Sequence, residues 1–133
     1  MYRSRNGCKK SMSADLDEAK AREFAEEWIA AWNSHDLDLI ISHYADDVVL
    51  TSPIAAKLLN IEDGTVRGKQ ALRAYFQKGL EAFPQLSFEL LEVMWGLTSV
   101  VLHYRNQKGT KSGEFMEFDQ EGKVVRVVAN YSG

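Results

Sequence analysis

Glu26-Glu27-Trp28-Ile29-Ala30-Ala31-Trp32-Asn33-Ser34-His35-Asp36-Leu37-Asp38, followed by Tyr44-Ala45-Asp46-Asp47-Val48-Val49-Leu50-Thr51-Ser52-Pro53, decides how this chain is read. Leu16, Phe24, Trp28 and Trp32 recur at helical spacing, with Ala21, Ala25 and Ile29 beside them, while Lys20, Arg22, Glu23, Glu26 and Glu27 fill the opposite side. Asp15 followed three residues later by Glu18 has the form of a capping box, so the first helix is expected to start there. Asn33-Ser34-His35 ends it. Asp36 is placed to cap a second short helix with the stripe Leu37, Ile40, Ile41 and Tyr44. A first strand is expected over about 47–52, stopped by Pro53.

Beyond that stretch the pattern changes from helices to strands. A third helix is expected over about 69–82, from Leu72, Tyr75, Phe76, Leu80 and Phe83, with Pro84 closing it. Strands follow at about 86–96, 99–106, 112–119 and 123–131. Asn106-Gln107-Lys108-Gly109 and Gln120-Glu121-Gly122-Lys123 join the last three as hairpins. Helices first and antiparallel strands last is an α+β layout. Residues 54–67 read as a short helical turn (Ala55-Ala56-Lys57-Leu58-Leu59) and a turn at Glu62-Asp63-Gly64, lying across a pocket mouth or leaving it open.

At 133 residues, 45% hydrophobic and 26% charged, the chain has the size and composition of one globular domain with a core of its own. Residues 1–14 carry +4 and the remainder −7. The first segment is therefore expected to be a flexible basic tail and residues 15–133 a single domain. An acidic body argues against nucleic-acid binding, which needs clustered cations. No apolar run reaches membrane-spanning length, and no apolar segment follows the basic residues as in a secretory signal. One cysteine, Cys8, permits no intrachain disulfide, which fits a reducing cytoplasm.

Strand alternation sorts the side chains. Val100, Leu102 and Tyr104 form one row, Glu114, Met116 and Phe118 the next, and Val125, Val127, Ala129 and Tyr131 the last. These rows are expected to face the helices. Val101, His103, Arg105, Phe115, Glu117, Val124, Arg126, Val128 and Asn130 are expected on the outer face. That outer face mixes apolar and charged residues, as a homodimer surface does and as a solvated sheet with cross-strand ion pairs does. Glu114 stands out in an otherwise apolar row. Loss of hydration would raise its pKa and fit it for proton transfer near neutral pH; pairing with Lys111 or reaching solvent is the plainer reading.

The stretches Trp28–Pro53 and Gly122–Tyr131 resemble the nuclear transport factor 2-like superfamily, in particular its SnoaL-like members and the ketosteroid isomerases, and the likeness runs from Asp15 to Tyr131. It implies a cone-shaped, cystatin-like fold with three N-terminal helices on a curved, mostly antiparallel sheet, and a homodimer through the outer sheet face. Ketosteroid isomerases place an aspartate base before the proline that ends the first strand, and use a helical tyrosine and a protonated aspartate as donors to the oxyanion. Here the matching positions hold Ser52, Trp28 and Glu114. The carbon-acid base is absent, so the resemblance points to the fold and not to steroid isomerisation.

The expected activity is the binding of a small hydrophobic molecule in an aromatic pocket, with Glu114 as catalytic acid or base in isomerase, cyclase or hydrolase chemistry. The alternative is a non-catalytic ligand-binding or dimeric interaction module. Trp28, Trp32, Ser52, Tyr75, Phe76, Trp95, Tyr104, Met116, Phe118 and Tyr131 are the candidate ligand-binding residues. His35, His43 and His103 do not converge, and Gly64-Thr65-Val66-Arg67-Gly68-Lys69 lacks phosphate-loop spacing, so neither a metal nor a cofactor is expected.

Overall fold

The structure, a computed structural model, describes residues 16–132. The expected tail, Cys8 and Asp15 lie outside the described residues. Four helices and six strands follow in the order α1 Glu18–Ser34, α2 Leu37–Ile41, β1 Tyr44–Thr51, α3 Pro53–Leu59, β2 Thr65–Arg67, α4 Lys69–Ala82, β3 Glu89–Trp95, β4 Ser99–Arg105, β5 Lys111–Phe118 and β6 Val124–Ser132. The sheet order is β2-β1-β6-β5-β4-β3. All neighbours are antiparallel except β1 and β6. The helices cover one face, giving the expected cystatin-like α+β architecture with one helix and one strand more than the sequence pattern resolved.

The helix starts are set by side-chain oxygens. Asp17, not Asp15, caps α1 and accepts from the Lys20 N–H at 2.8 Å. Asp36 caps α2 through Leu39 N at 3.2 Å. Ser52 caps α3, accepting from Ile54 N at 3.1 Å, with Pro53 in the first turn where its missing N–H costs nothing. α3 is the segment read as a helical turn, and it needed only this cap and Asn60 in the left-handed conformation at its end. Tyr44 opens β1 and does not extend α2, because α2 ends after Ile41. Asp46 and Asp47 are both exposed where the β1–β6 register shifts.

Alternation holds along β4 and β5. Val100, Leu102, Tyr104, Ser112, Glu114, Met116 and Phe118 are buried. It breaks in β6. A register shift pairs Glu117 with Arg126 but Phe118 with Val124, which turns Val124 inward, fully buried, against the expectation that it faced out. Core packing on the inner face joins Ala21, Ala25, Trp28 and Trp32 of α1 to Ile40, Tyr44, Leu72, Phe76, Leu102 and Met116.

Two local devices fix the segments around the open end of this core. Asn33, at the end of α1, bonds the Phe88 backbone on both sides: its Nδ2 donates to Phe88 O at 2.9 Å and its Oδ1 accepts from Phe88 N at 2.7 Å. The next turn adds His35 Nε2 against Leu86 O at 2.7 Å. On the other side, Gly64 adopts φ 61° and its carbonyl accepts from Ser52 N at 2.9 Å. A Cβ there would stand 2.6 Å from Ser52 O, so this position requires glycine on both conformational and steric grounds. Gly64→Ala is expected to lower stability by about 2 kcal/mol or more in chemical denaturation. A loss of a few tenths would mean that the Ser52–Gly64 contact is not needed to hold β1 to the turn before β2.

Candidate functional site

The helices do not fill the inner face completely. A partly open chamber of about 90 Å³ remains between α1, α3, α4 and the sheet. Trp28 and Trp32 form its wall from α1, Tyr75, Phe76 and Gly79 from α4, and Ile54 from α3. Its floor is the sheet, where Tyr104, Glu114, Ala129 and Tyr131 meet. The register explains the space: Glu114 lies between Leu102 and Ala129, and the small Ala129 side chain leaves room above the carboxyl group. A wider groove of about 710 Å³ adjoins it and shares Ile54, Phe83, Leu86, Phe88, Tyr104 and Tyr131 with the chamber.

Aromatic rings set the chamber's shape. Phe88 stacks on Trp28, with ring centroids 5.8 Å apart and planes at 13°, and tilts against Tyr104 at 4.5 Å. Trp32 meets Phe76 edge-on at 4.8 Å. The Trp28 indole donates from Nε1 to the Tyr44 hydroxyl at 2.9 Å, satisfying a polar atom in the core. Trp32 Nε1 is a buried side-chain polar atom with no hydrogen-bond partner among the described residues.

Glu114 is 6% exposed. Its Oε1 accepts a 2.6 Å hydrogen bond from the Tyr104 hydroxyl, a diagonal cross-strand neighbour. No hydrogen bond to its Oε2 is present among the described residues. Burial pushes the carboxyl up from 4.5 to about 7, against the opposing pull of the Tyr104 hydrogen bond. The same burial, together with the Glu114 charge, raises the Tyr104 and Tyr131 phenols. Tyr75 is pushed up to about 12, chiefly by burial. Three hydroxyls thus remain neutral donors opposite or beside one carboxyl that titrates near neutrality. Ser52 Oγ lies 3.4 Å from the Tyr131 hydroxyl, but its clearer task is to cap α3.

The structure brings together Trp28, Trp32, Ser52, Tyr75, Phe76, Tyr104, Glu114 and Tyr131. It places three candidates elsewhere. Trp95 shares the face of its partner Val100 but sits at the end of the edge strand β3, 51% exposed. Phe118 packs edge-on against Phe24 at 4.8 Å, toward the start of α1. Met116 is fully buried core. Leu50, Ile54, Phe83, Leu86, Phe88 and Ala129 line the chamber without having been singled out by the sequence. Helical spacing marks Phe83 and strand alternation marks Ala129 as inward, while Leu86 and Phe88 fall before the strand expected to hold them, which begins at Glu89. No group of three His, Cys, Asp or Glu side chains able to hold a metal occurs among the described residues. No described helix is long and apolar enough to cross a membrane.

Between about pH 4.5 and 7 the folded chain keeps a proton on Glu114 that the unfolded chain has released, so stability falls as pH rises through this window. The fall attributable to this group is about 3 kcal/mol at most. Urea denaturation at a series of pH values is expected to show it in the wild type, and a flatter profile in Glu114→Gln. Tyr104→Phe removes the bond that favours the carboxylate and is expected to carry the decline to higher pH. Parallel profiles for wild type and Glu114→Gln would mean that Glu114 is not desolvated.

A search of curated proteins returned no match. Among solved structures, a SnoaL-like protein of unknown function from Burkholderia thailandensis is 39% identical, with 90% of this chain and 99% of that one covered and a TM-score of 0.85. The epoxide hydrolase/cyclase-like enzyme SalBIII of salinomycin pyran ring formation is 19% identical, with 87% and 93% covered and a TM-score of 0.67. A putative ketosteroid isomerase from Kribbella flavida is 15% identical, with 92% and 83% covered and a TM-score of 0.70. The last two likenesses show the fold alone. The family model of the SnoaL-like domain matches residues 25–129, most of the chain, and the protein belongs to the SnoaL-like domain family.

Proposed function

We propose that this protein is an acid–base catalyst acting on a small polar group of an otherwise hydrophobic molecule, with Glu114 as the proton carrier. The observation that carries this reading is the Glu114 carboxyl itself: buried in an aromatic chamber, held at one oxygen by Tyr104, unbonded at the other, and balanced near neutral pH. A group in that state is found in both protonation forms under working conditions, which is what general acid–base catalysis requires. In the acid direction, the Glu114 O–H gives its proton to a ligand oxygen and the resulting carboxylate keeps the Tyr104 hydrogen bond. Taking a proton back from the product restores the starting state. Neutral Tyr131 and Tyr75 are placed to donate hydrogen bonds to an oxygen that gains charge.

Isomerase, cyclase and hydrolase reactions are the candidate classes. SalBIII and the ketosteroid isomerase-like protein bear names from this range on the same fold. The aspartate-before-proline base of the ketosteroid isomerases has no counterpart here, since Ser52 holds that position as a helix cap. The reading therefore favours proton transfer to or from oxygen over abstraction from carbon. A cytoplasmic location fits a chain with a single cysteine.

A panel of apolar epoxides and cyclic carbonyl compounds, followed by NMR for chemical change, tests the proposal. Conversion by the wild type is expected to fall by at least about a hundredfold in Glu114→Gln, with kcat/KM inflecting near pH 7. Equal turnover by the two proteins would remove Glu114 from the chemistry.

A second reading, an interaction module, is favoured by the outer sheet face. Met94, Val101, Phe115 and Val128 are cross-strand partners in succession and form an apolar row across four strands. Arg126 borders the row, lying over the Phe115 ring at 5.1 Å and pairing with Glu117 at 3.2 Å. This is the composition of a homodimer surface with a polar rim. Sedimentation velocity is expected to give a dimer for the wild type and at least about tenfold weaker association for Val101→Glu, which would bury an unpaired charge. A wild type that stays monomeric at high concentration would contradict this reading.

A further inference from the structure

The chamber and the groove beside it differ in chemistry as well as size. The chamber, at about 90 Å³, is small beside the groove's about 710 Å³. Any ligand of ordinary size that presents a polar end to Glu114 must therefore lie mostly in the about 710 Å³ groove. The six residues shared by the two spaces make the passage between them apolar and aromatic. Glu114 belongs to the chamber alone.

At its outer edge the groove is lined by Lys57 and Lys108 and, among the described residues, by no Asp or Glu. Both lysines are exposed, and neither makes an ion pair among the described residues. Both lysines also stand on ordered backbone. Lys57 lies on α3 between the Ser52 cap and Asn60. Lys108 lies in the β4–β5 turn, where Asn106 Oδ1 accepts from Lys108 N at 2.9 Å and from Thr110 N at 3.0 Å. Two unopposed cations at the rim of an apolar groove concentrate anions there.

Resting on the reading of Glu114 as the site's proton carrier, we propose that the ligand is an elongated amphiphile with a small neutral oxygen-bearing end in the chamber, an apolar body in the groove, and an anionic end group held by Lys57 and Lys108. Lysine suits this task as a long, point-charged donor that follows an end group at the water boundary. The two ends of the ligand are thus recognised separately, neutral oxygen at Glu114 and charge at the lysines.

Calorimetric titration with ω-hydroxylaurate and its methyl ester tests this, since the two probes differ at the distal end alone, where methylation removes the charge. At low ionic strength the acid is expected to bind the wild type about fivefold more tightly than the ester. The difference is expected to vanish in the Lys57→Gln/Lys108→Gln variant and to shrink at high salt. Both lysines are exposed, so the variant is expected to unfold at the wild-type temperature. Glu114→Gln is expected to shift both probes alike and keep their ratio. Equal binding of acid and ester by the wild type would overturn the anionic end group while leaving the chamber reading in place. If neither probe binds, the chamber reading falls with it.

Discussion

A carboxyl group that loses most of its contact with water must either gather hydrogen bonds or keep its proton, and Glu114, 6% exposed, is held between these two outcomes. One oxygen has the Tyr104 hydroxyl at 2.6 Å; the other has none among the described residues. A fully bonded carboxylate would remain ionised and act as structural ballast, whereas an unbonded carboxyl in the same place would stay protonated far above neutrality. One bond among aromatic walls leaves the group near pH 7. The chamber's geometry matters because it maintains this incomplete solvation.

That geometry depends on parts distant from the carboxyl. Ala129 beside Glu114 and Gly79 on α4 supply the missing volume. Trp28 is fixed by Tyr44 and by stacking on Phe88, and Phe88 is fixed by the side chain of Asn33 at the end of α1. The helix that provides one wall therefore also clamps the loop that provides the next. On the far side, Ser52 ties the end of β1 to α3 and to Gly64. Rigid supports of this kind hold the carboxyl, the phenols and the open space at fixed separations, which a preorganised acid–base site needs.

Much of this was legible in the sequence where one physical rule dominated. The period-two pattern of β4 and β5 put Tyr104 and Glu114 on the inner face, because an antiparallel strand buried on one side has little freedom to do otherwise. The helical spacing of Leu72, Tyr75 and Phe76 gave α4 its observed span of Lys69–Ala82. Where two rules competed, the reading faltered. Val124 turned inward through a bulge that alternation does not foresee, and Trp95 kept its face but lost its cover at the sheet edge. Phe88 lies outside the regular elements, held by a long-range side-chain clamp from Asn33 that local pattern cannot reveal. The short helix α3 was ambiguous because seven residues carry little periodicity and its cap decides it. The fold was the more readable part, since it rests on periodicity, while the chamber depends on small gaps between elements.

The central claim is that Glu114 titrates as a desolvated acid in the folded protein. Carbon-13 NMR of the glutamate side-chain carboxyls across a pH series measures this directly, with Glu114→Gln identifying the resonance. The account predicts one carboxyl with a midpoint near 7, displaced upward in Tyr104→Phe. A Glu114 midpoint at the ordinary value of 4.5 would show a solvated carboxylate and contradict the account.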